Sequence, residues 1–450
     1  MRPFQHAQRG GITVMVIISL TTLLAVVGLA FSAGLSYMVR SKLNAATDAA
    51  GLAAARAISN GTTQADQIAN AKAAGQRFFY ANFPSNYLMS SATLNDIGVS
   101  FSGSEATVTV SASANLPTAL FGGFGAGALA PAVLTETKRK DLDMVVVMDT
   151  SGSLSGSAAN VRSSAVTFLN QFNVTRDRVG LVHFAFGSIV DDPIRPIARG
   201  FDRTSMTNHI KAYAFSGSTA SAEGMYTARQ QINSVPTANL NRSNMRVIVF
   251  FSDGAPNSFG AYLNWKTAGY CTQAGTVYTD DDGAGTPAGL YKLDQQYDDI
   301  GGNCTPADLP GKAASLPDWY NAHNPLLTPN DPSLREFPVV TNSPRVVTNA
   351  LTYANVNRAA RNLVEAMAAK SRDEGIYVFT LGLGSSLKVG TGVDGEKGED
   401  TLKCMANTVD APARCYNPNK PVGVYCFAAT QNDLTPCFSK LASAILRISK

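Results

Sequence analysis

Two apolar runs, each stopping at a carboxylate, constrain this chain more than any other feature. The first, Leu142 to Met148, ends at Asp149 and passes into Thr150-Ser151-Gly152-Ser153. The second, Arg246-Val247-Ile248-Val249-Phe250-Phe251, ends in Ser252-Asp253-Gly254. Short apolar runs without polar alternation read as strands buried on both faces, the kind found in parallel sheets covered by helices. In an open parallel sheet, loops at the carboxyl ends of the strands converge on one crevice. Oxygen donors there suit a hard cation better than zinc or copper. Ser, Thr and Asp also cap helices wherever a strand leads into one. Taken alone, Asp149, Ser151 and Ser153 fit a cation site and a helix start equally well.

A third loop lies between them. Ser216-Gly217-Ser218-Thr219 leads into a helical pattern from Ala222 to Ile232, so Asp149, Thr219 and Asp253 can meet at one sheet edge. On these residues, positions 141 to 448 resemble a von Willebrand factor type A domain. Asp149, Ser151 and Ser153 match its metal-ion-dependent adhesion site, Thr219 its Gly-Gly-Thr position and Asp253 its last ligand. Ser218 departs from the family, which often has Gly there, at a position that is not a ligand. The resemblance implies an α/β fold with a doubly wound, mostly parallel sheet. It implies Mg²⁺, or another divalent cation such as Mn²⁺ or Ca²⁺, held by Asp149, Ser151, Ser153, Thr219 and Asp253. It also implies a protein partner whose Asp or Glu carboxylate takes the open coordination position. Such a site binds rather than turns over, and no base or nucleophile accompanies the ligands in sequence, so an enzyme is not expected.

Strand and helix patterns alternate around these loops, as a doubly wound sheet requires. Helices are predicted over Ala158–Phe172, Met206–Ala214, Val356–Ser371 and Leu434–Ile448, and strands over Val179–Phe186 and Gly375–Gly382. Pro193–Ala198 reads as an edge strand, because its prolines cannot donate to a central ladder. From about residue 255 to 344 the chain is rich in Gly, Pro, Asn, Asp and Tyr and has no clear period. Loops of that length are uncommon and usually functional or disordered. This one leaves directly from Asp253 and reads as a lid or a partner-specific surface, with a neutral surface insertion as the alternative. A smaller insertion, Ser385–Asp400, departs from the same sheet edge.

The amino terminus carries a second strong signal. No charged residue occurs from Gly10 to Val39, and Ile12 to Phe31 is nearly all apolar, long enough to cross a bilayer. A cleaved signal peptide is the competing reading, but its hydrophobic region is typically shorter, at roughly 7–15 residues. An Ala-rich segment of strong helix propensity follows to Ile58, and Asn60-Gly61-Thr62 breaks it. A second helix is predicted from Ala65 to Tyr80, then two short strands within Gly98–Ser111 around Gly103, then an apolar stretch without a period, Leu116–Ala132.

This part resembles the TadG-like proteins of the Flp (Tad) pilus assembly system. The likeness rests on Arg9-Gly10-Gly11 before the span and Arg40-Ser41-Lys42-Leu43-Asn44-Ala45-Ala46-Thr47-Asp48 after it, and on Val108-Thr109-Val110 and Leu116-Pro117-Thr118 further on. Met15 and Val16 stand where prepilins usually carry a Glu, so prepilin-type cleavage is not expected. Three regions follow: 1–40, a cytoplasmic tip and transmembrane helix; 41–140, a periplasmic α+β segment; and 141–450, the type A domain with its insertion at about 255–344. All six cysteines lie after the span, none in a Cys-x-x-Cys pair, which fits disulfides in an oxidising compartment; buried free thiols are the alternative. Local pairing is expected: Cys271 with Cys304, Cys404 with Cys415, Cys426 with Cys437.

A net charge of +4 with no basic block gives no footprint for nucleic acid. Asp280-Asp281-Asp282-Gly283 lacks the first ligand of an EF-hand loop, since Tyr278 stands there, and reads as a solvated acidic turn. Gly390-Thr391-Gly392-Val393-Asp394-Gly395 does not open a helix after a strand and reads as a flexible loop. His183, in an apolar strand, reads as a core or sheet-face residue. The combined expectation is a single-pass protein of the bacterial inner membrane, its bulk in the periplasm, serving pilus assembly. A surface adhesin using the same metal site is the alternative.

Overall fold

An uncharged apolar stretch running without a break into an Ala-rich one gives the backbone no place to stop, and the computed structural model makes one helix of both, α1 (Gly11–Ala57). The structure describes residues 11–58, 64–102, 105–117, 128–236, 242–243, 245–280, 285–304, 309–323 and 335–448. It divides into two units, Met1–Arg139 and Lys140–Lys450. The expected break at Asn60-Gly61-Thr62 lies outside the described residues.

In the first unit the amino-terminal part of α1 stands free, with Ile12 78% and Leu29 72% exposed. From Val39 the same helix turns a buried seam inward: Val39, Leu43, Ala46, Ala50 and Ala54 recur three or four apart, on one face. The small residues let α2 (Gln64–Asn82) approach closely, and a Cβ on Gly75 would lie 3.3 Å from the Ala50 carbonyl oxygen. A three-stranded sheet closes the unit: β1 (Ser91–Ser102), β2 (Glu105–Asn115) and β3 (Ala132–Lys140), with β2 central. Ala106, Val108, Val110, Ala112 and Ala114 of β2 alternate inward onto α1. The hydroxyl of Thr135 donates to Thr47 Oγ1 at 2.8 Å, tying β3 to the helix. The hairpin strands are longer than the two short ones expected around Gly103, which itself lies outside the described residues, as do residues 118–127. β3 was not anticipated, because a strand ending in Lys138, Arg139 and Lys140 offers little apolar alternation.

The second unit is built on a six-stranded sheet. In chain order its strands are β4 (Leu142–Asp149), β5 (Arg178–Phe184), β6 (Ser188–Asp192), β7 (Met245–Ser252), β13 (Tyr377–Leu383) and β16 (Tyr425–Ala428). Their spatial order is β16-β13-β7-β4-β5-β6, with all neighbours parallel except the β5–β6 pair. The edge strand is thus β6 rather than Pro193–Ala198: the chain folds straight back after Phe184, and Pro193, having no N–H, ends the ladder.

Both faces of β4 are buried, as the apolar run Met144–Met148 requires. Val145 and Val147 face a core shared with α5 (Ser221–Asn233) and α7 (Tyr353–Asp373). Met144, Val146 and Met148 face the other core, with α3 (Ala158–Leu169), α4 (Arg203–Ala212) and α9 (Leu434–Ile448). Helix α4 starts earlier than its apolar pattern because Asp202 caps it, accepting from Ser205 N at 3.0 Å.

The long insertion has structure of its own, against expectation. It holds a three-stranded antiparallel sheet of β8 (Ser258–Ala261), β10 (Gly275–Tyr278) and β11 (Ala288–Tyr291), with β10 central. It also holds a small pair, β9 (Asn264–Trp265) with β12 (Ala313–Ser315), and one turn of helix, α6 (Leu309–Lys312). Strands of two to four residues are too short to show a period in sequence. The second insertion forms a hairpin of β14 (Gly390–Thr391) and β15 (Glu396–Lys397), then α8 (Gly398–Ala406). All three expected disulfides are present: Cys271–Cys304, Cys404–Cys415 and Cys426–Cys437.

Gly224 is where α5 presses most closely on the sheet: a Cβ there would lie 2.7 Å from a ring carbon of Phe184. Gly224→Val is expected to lower stability by about 1–3 kcal/mol through overpacking, with urea unfolding as the measurement.

Candidate metal centre

The carboxylates that close β4 and β7 come together because the two strands are adjacent and in register, with Met148 opposite Phe251. Asp149 is wholly buried. Its Oδ1 accepts from Ser151 N at 2.8 Å and its Oδ2 from Ser252 Oγ at 2.6 Å. The chain then turns so that Ser153 Oγ donates to Asp253 Oδ1 at 2.8 Å and lies 3.2 Å from Ser151 Oγ. Ser151 and Ser157 occupy the positions just before the following short helix and α3, yet neither side chain caps its helix. The hydroxyls of Ser151 and Ser153 instead face each other, with Ser151 turned to Asp149 and Ser153 to Asp253.

Thr219 joins them from the third loop. It lines the same cavity, of about 430 Å³, as Ser151, Ser153 and Asp253. Its Oγ1 would lie 3.4 Å from a Cβ on Gly254, immediately after Asp253. The structure thus gathers all five expected positions at one end of the sheet, four of them in a direct hydrogen-bonded group and Thr219 beside it. The Ser218 departure has a local partner: Ser218 Oγ donates to Asn257 Oδ1 at 2.5 Å, and Thr219 N donates to the same oxygen at 3.0 Å.

Several supporting residues escaped the sequence reading. Asn257 fixes the Thr219 loop from within the insertion. Gln296 reaches further, its side-chain amide donating to the carbonyls of Thr150 at 3.2 Å and Ala214 at 2.9 Å. Backbone bonds run alongside, from Phe186 N to Gln296 O at 3.2 Å and Gly187 N to Gln295 O at 3.1 Å. Ser386 Oγ donates to the Asp253 carbonyl at 3.3 Å. Glu223, fully buried on α5, accepts from Gly260 N and Tyr320 OH, each at 2.8 Å, and pairs with His323 Nε2 at 2.7 Å. A run of Tyr, Asn and Gln in an aperiodic insertion gave no hint of these long-range pairings.

Burial pushes the Asp149 carboxyl up, against hydrogen bonds from Ser151 and Ser252. Burial also pushes Asp253 up, and the Asp149 charge adds to it. Two acids this close repel, and a divalent cation would remove that penalty. The donor set is oxygen only, with two charges and three hydroxyls, and it fits Mg²⁺, Mn²⁺ or Ca²⁺ by chemistry. Among the described residues no cluster of three or more His, Cys, Asp or Glu offers a different metal site. His183 does not approach the centre; it pairs with Asp191 at 2.8 Å at the sheet edge. The Gly390–Gly395 segment is the turn of the β14–β15 hairpin, and Asp281 to Gly283 lie outside the described residues.

A parallel sheet flanked by helices, with these loops at its carboxyl end, is the architecture of a von Willebrand factor type A domain. Residues 143–276 match the family model of that domain, and residues 10–57 match that of the putative Flp pilus-assembly TadE/G-like proteins. The chain therefore joins a TadE/G-like amino-terminal segment to a von Willebrand factor type A domain. Both families consist typically of adhesion or assembly modules, and type A domains often bind a divalent cation at a metal-ion-dependent adhesion site. The long exposed apolar helix is consistent with a single-pass membrane anchor. No curated protein sequence matches the chain.

Similar solved structures include the pilus adhesin SpaC from Lactobacillus rhamnosus GG, at 13% identity and TM-score 0.38, covering 79% of this chain and 35% of that one. The von Willebrand factor domain of the type V pili tip protein Mfa5 from Porphyromonas gingivalis is 12% identical, with TM-score 0.37, covering 69% of this chain and 97% of that one. Proximal thread matrix protein 1 from the mussel byssus, with zinc in its metal-ion-dependent adhesion site, is 10% identical, with TM-score 0.33, covering 68% and 46%. The chain spans about a third of the length of SpaC and under half of the byssus protein.

The raised carboxyls set the sign of a pH effect. Without metal, a folded-state pKa above the ordinary 3.8, about 6 for Asp149 and about 7 for Asp253, means the folded protein binds more protons than the unfolded chain in that window. Stability then falls as pH rises through it. Saturating Mg²⁺ should reverse this, because protons now compete with metal. Thermal unfolding across that window, with chelator and with Mg²⁺, is the measurement. Asp253→Asn should flatten the metal-free slope.

Proposed function

We propose that this protein is a membrane-anchored accessory component of Flp/Tad pilus assembly, which grips a protein partner through a Mg²⁺-dependent adhesion site. Asp149, Ser151, Ser153, Thr219 and Asp253 hold the metal. Residues 1–40 provide the cytoplasmic tip and the single bilayer span, and residues 41–140 and 141–450 lie in the periplasm.

One observation carries the reading: the carboxylate of Asp253 lines an open cavity walled with hydroxyls, the fully buried Asp149 lies beside it, and no Lys, Arg or His lines that cavity among the described residues. A metal bound there neutralises the two acids and supplies Lewis acidity toward an incoming oxygen. The chain's own part is to fix five donors on three loops and leave the outward side open. A partner Asp or Glu then completes the coordination, which makes partner binding conditional on metal. The TadE/G-like segment supports pilus assembly as the setting, and the three disulfides support an oxidising compartment.

Asp149→Ala should abolish Mg²⁺ binding by titration calorimetry and metal-dependent recovery of the partner from cross-linked membranes. Partner recovery from Asp149→Ala at the wild-type level, with chelator present, would end the metal-bridge model. Membrane fractionation should place the protein with the inner membrane; recovery with the outer surface or the medium would favour the adhesin reading.

A further inference from the structure

The cavity at the metal centre extends beyond the five donors to a wall built by the insertion. Tyr278, Tyr291 and Tyr297 line it together with Phe186 from the loop after β5, and Asp280 lines it too. The rings form one cluster about Phe186: Tyr291 stacks on it at 3.7 Å between centroids, Tyr278 meets it edge-on at 5.1 Å, and Tyr297 lies at 5.5 Å. Phe186 and Tyr291 are buried and anchor the wall, whereas Tyr297 is 55% exposed. Thr276 Oγ1 donates to the Phe186 carbonyl at 2.6 Å, so wall and sheet loop are joined in the backbone as well.

Packing of the insertion explains Phe186 and Tyr291. It does not explain an exposed tyrosine and an exposed carboxylate opening into the same cavity as the metal donors. The electrostatics point one way. With a divalent cation in place, Asp149 and Asp253 are neutralised, which leaves Asp280 as the uncompensated charge of the cavity wall. No basic side chain of the described residues lines the cavity to meet it. Tyrosine faces attract cations, and a carboxylate alongside adds to that attraction.

We propose that Tyr278, Tyr297 and Asp280 form a second subsite, which takes a Lys or Arg side chain of the partner a few residues from the carboxylate that reaches the metal. The inference rests on the metal-bridge reading above and adds what that reading lacks, a source of selectivity. A metal with one open position accepts any accessible Asp or Glu. A cation pocket beside it restricts the partner to a segment carrying an acid and a base in close sequence.

The test uses the full chain in detergent with Mg²⁺ and synthetic peptides of the form Gly-Asp-linker-Lys-Gly, the linker being none to three glycines. Companion peptides replace Lys with norleucine, which keeps length and removes charge, or Asp with Asn. At the best linker the Lys peptide should bind about five- to tenfold more tightly than its norleucine analogue. That ratio should fall close to one in Asp280→Asn and in Tyr297→Ala, both at exposed positions. Equal binding of the two peptides, tighter binding of norleucine, or a ratio that survives both substitutions would overturn the subsite while leaving the metal bridge standing. Binding that ignores the Asp-to-Asn change, or no binding by any peptide, would overturn the metal bridge and the subsite with it.

Discussion

Two acids held side by side, with no Lys, Arg or His of the described residues lining the cavity next to them, set the terms for the carboxyl end of this sheet. Burial raises both Asp149 and Asp253, and at Asp149 hydrogen bonds from Ser151, Ser252 and the Asp253 backbone work against it. Such a pair is a standing cost, of the kind structures retain where function needs it. The sheet makes the cost unavoidable, because β4 and β7 are adjacent, parallel and in register, so that their ends cannot diverge. Hydroxyls on the next loop, and Thr219 on the third, then surround the pair with oxygens that carry no charge.

The insertion after Asp253 belongs to this arrangement rather than hanging from it. Asn257, Gln296 and Phe186 fasten it to the loops that carry Thr219 and Ser151, and Ser386 fastens the smaller insertion to Asp253. Glu223 is a further bolt, a fully buried carboxylate satisfied by a backbone N–H, a tyrosine hydroxyl and His323, all from the insertion. Buried polar groups in a network satisfied this completely favour one arrangement over others. The wall beside the metal donors is therefore held in place before any partner arrives.

What was legible in the sequence follows from range. β4 and β7 were readable because five consecutive apolar residues, Met144–Met148 and Val247–Phe251, have few other uses, and the donors were readable because they sit at fixed offsets from those strand ends. The start of α9 at Leu434 and its end at Ile448 showed in a strong apolar period. The disulfides fell to local pairing. The rest depended on contacts far apart in the chain. β16 spans four residues, and only its pairing with β13 makes it a strand. β6 was misplaced because the prolines after it drew attention to the wrong segment. The insertion read as irregular because its strands are shorter than any detectable period, and its ties to the donor loops run over about 40 to 150 residues of chain.

Helix α1 has a consequence that reaches beyond anchoring. At about 1.5 Å per residue, the eight steps from Phe31 to Val39 rise roughly 12 Å, comparable to one interfacial layer of a bilayer. With Ile12 to Phe31 in hydrocarbon, the seam that begins at Val39 would start where the headgroups end. The same unbroken helix carries both the apolar stretch and the first buried seam of the folded unit. The sheet of β1, β2 and β3 is thereby held at a fixed height and a fixed rotation about the helix axis. Any tilt of the span is passed to it undamped, as a lever passes motion rather than a tether.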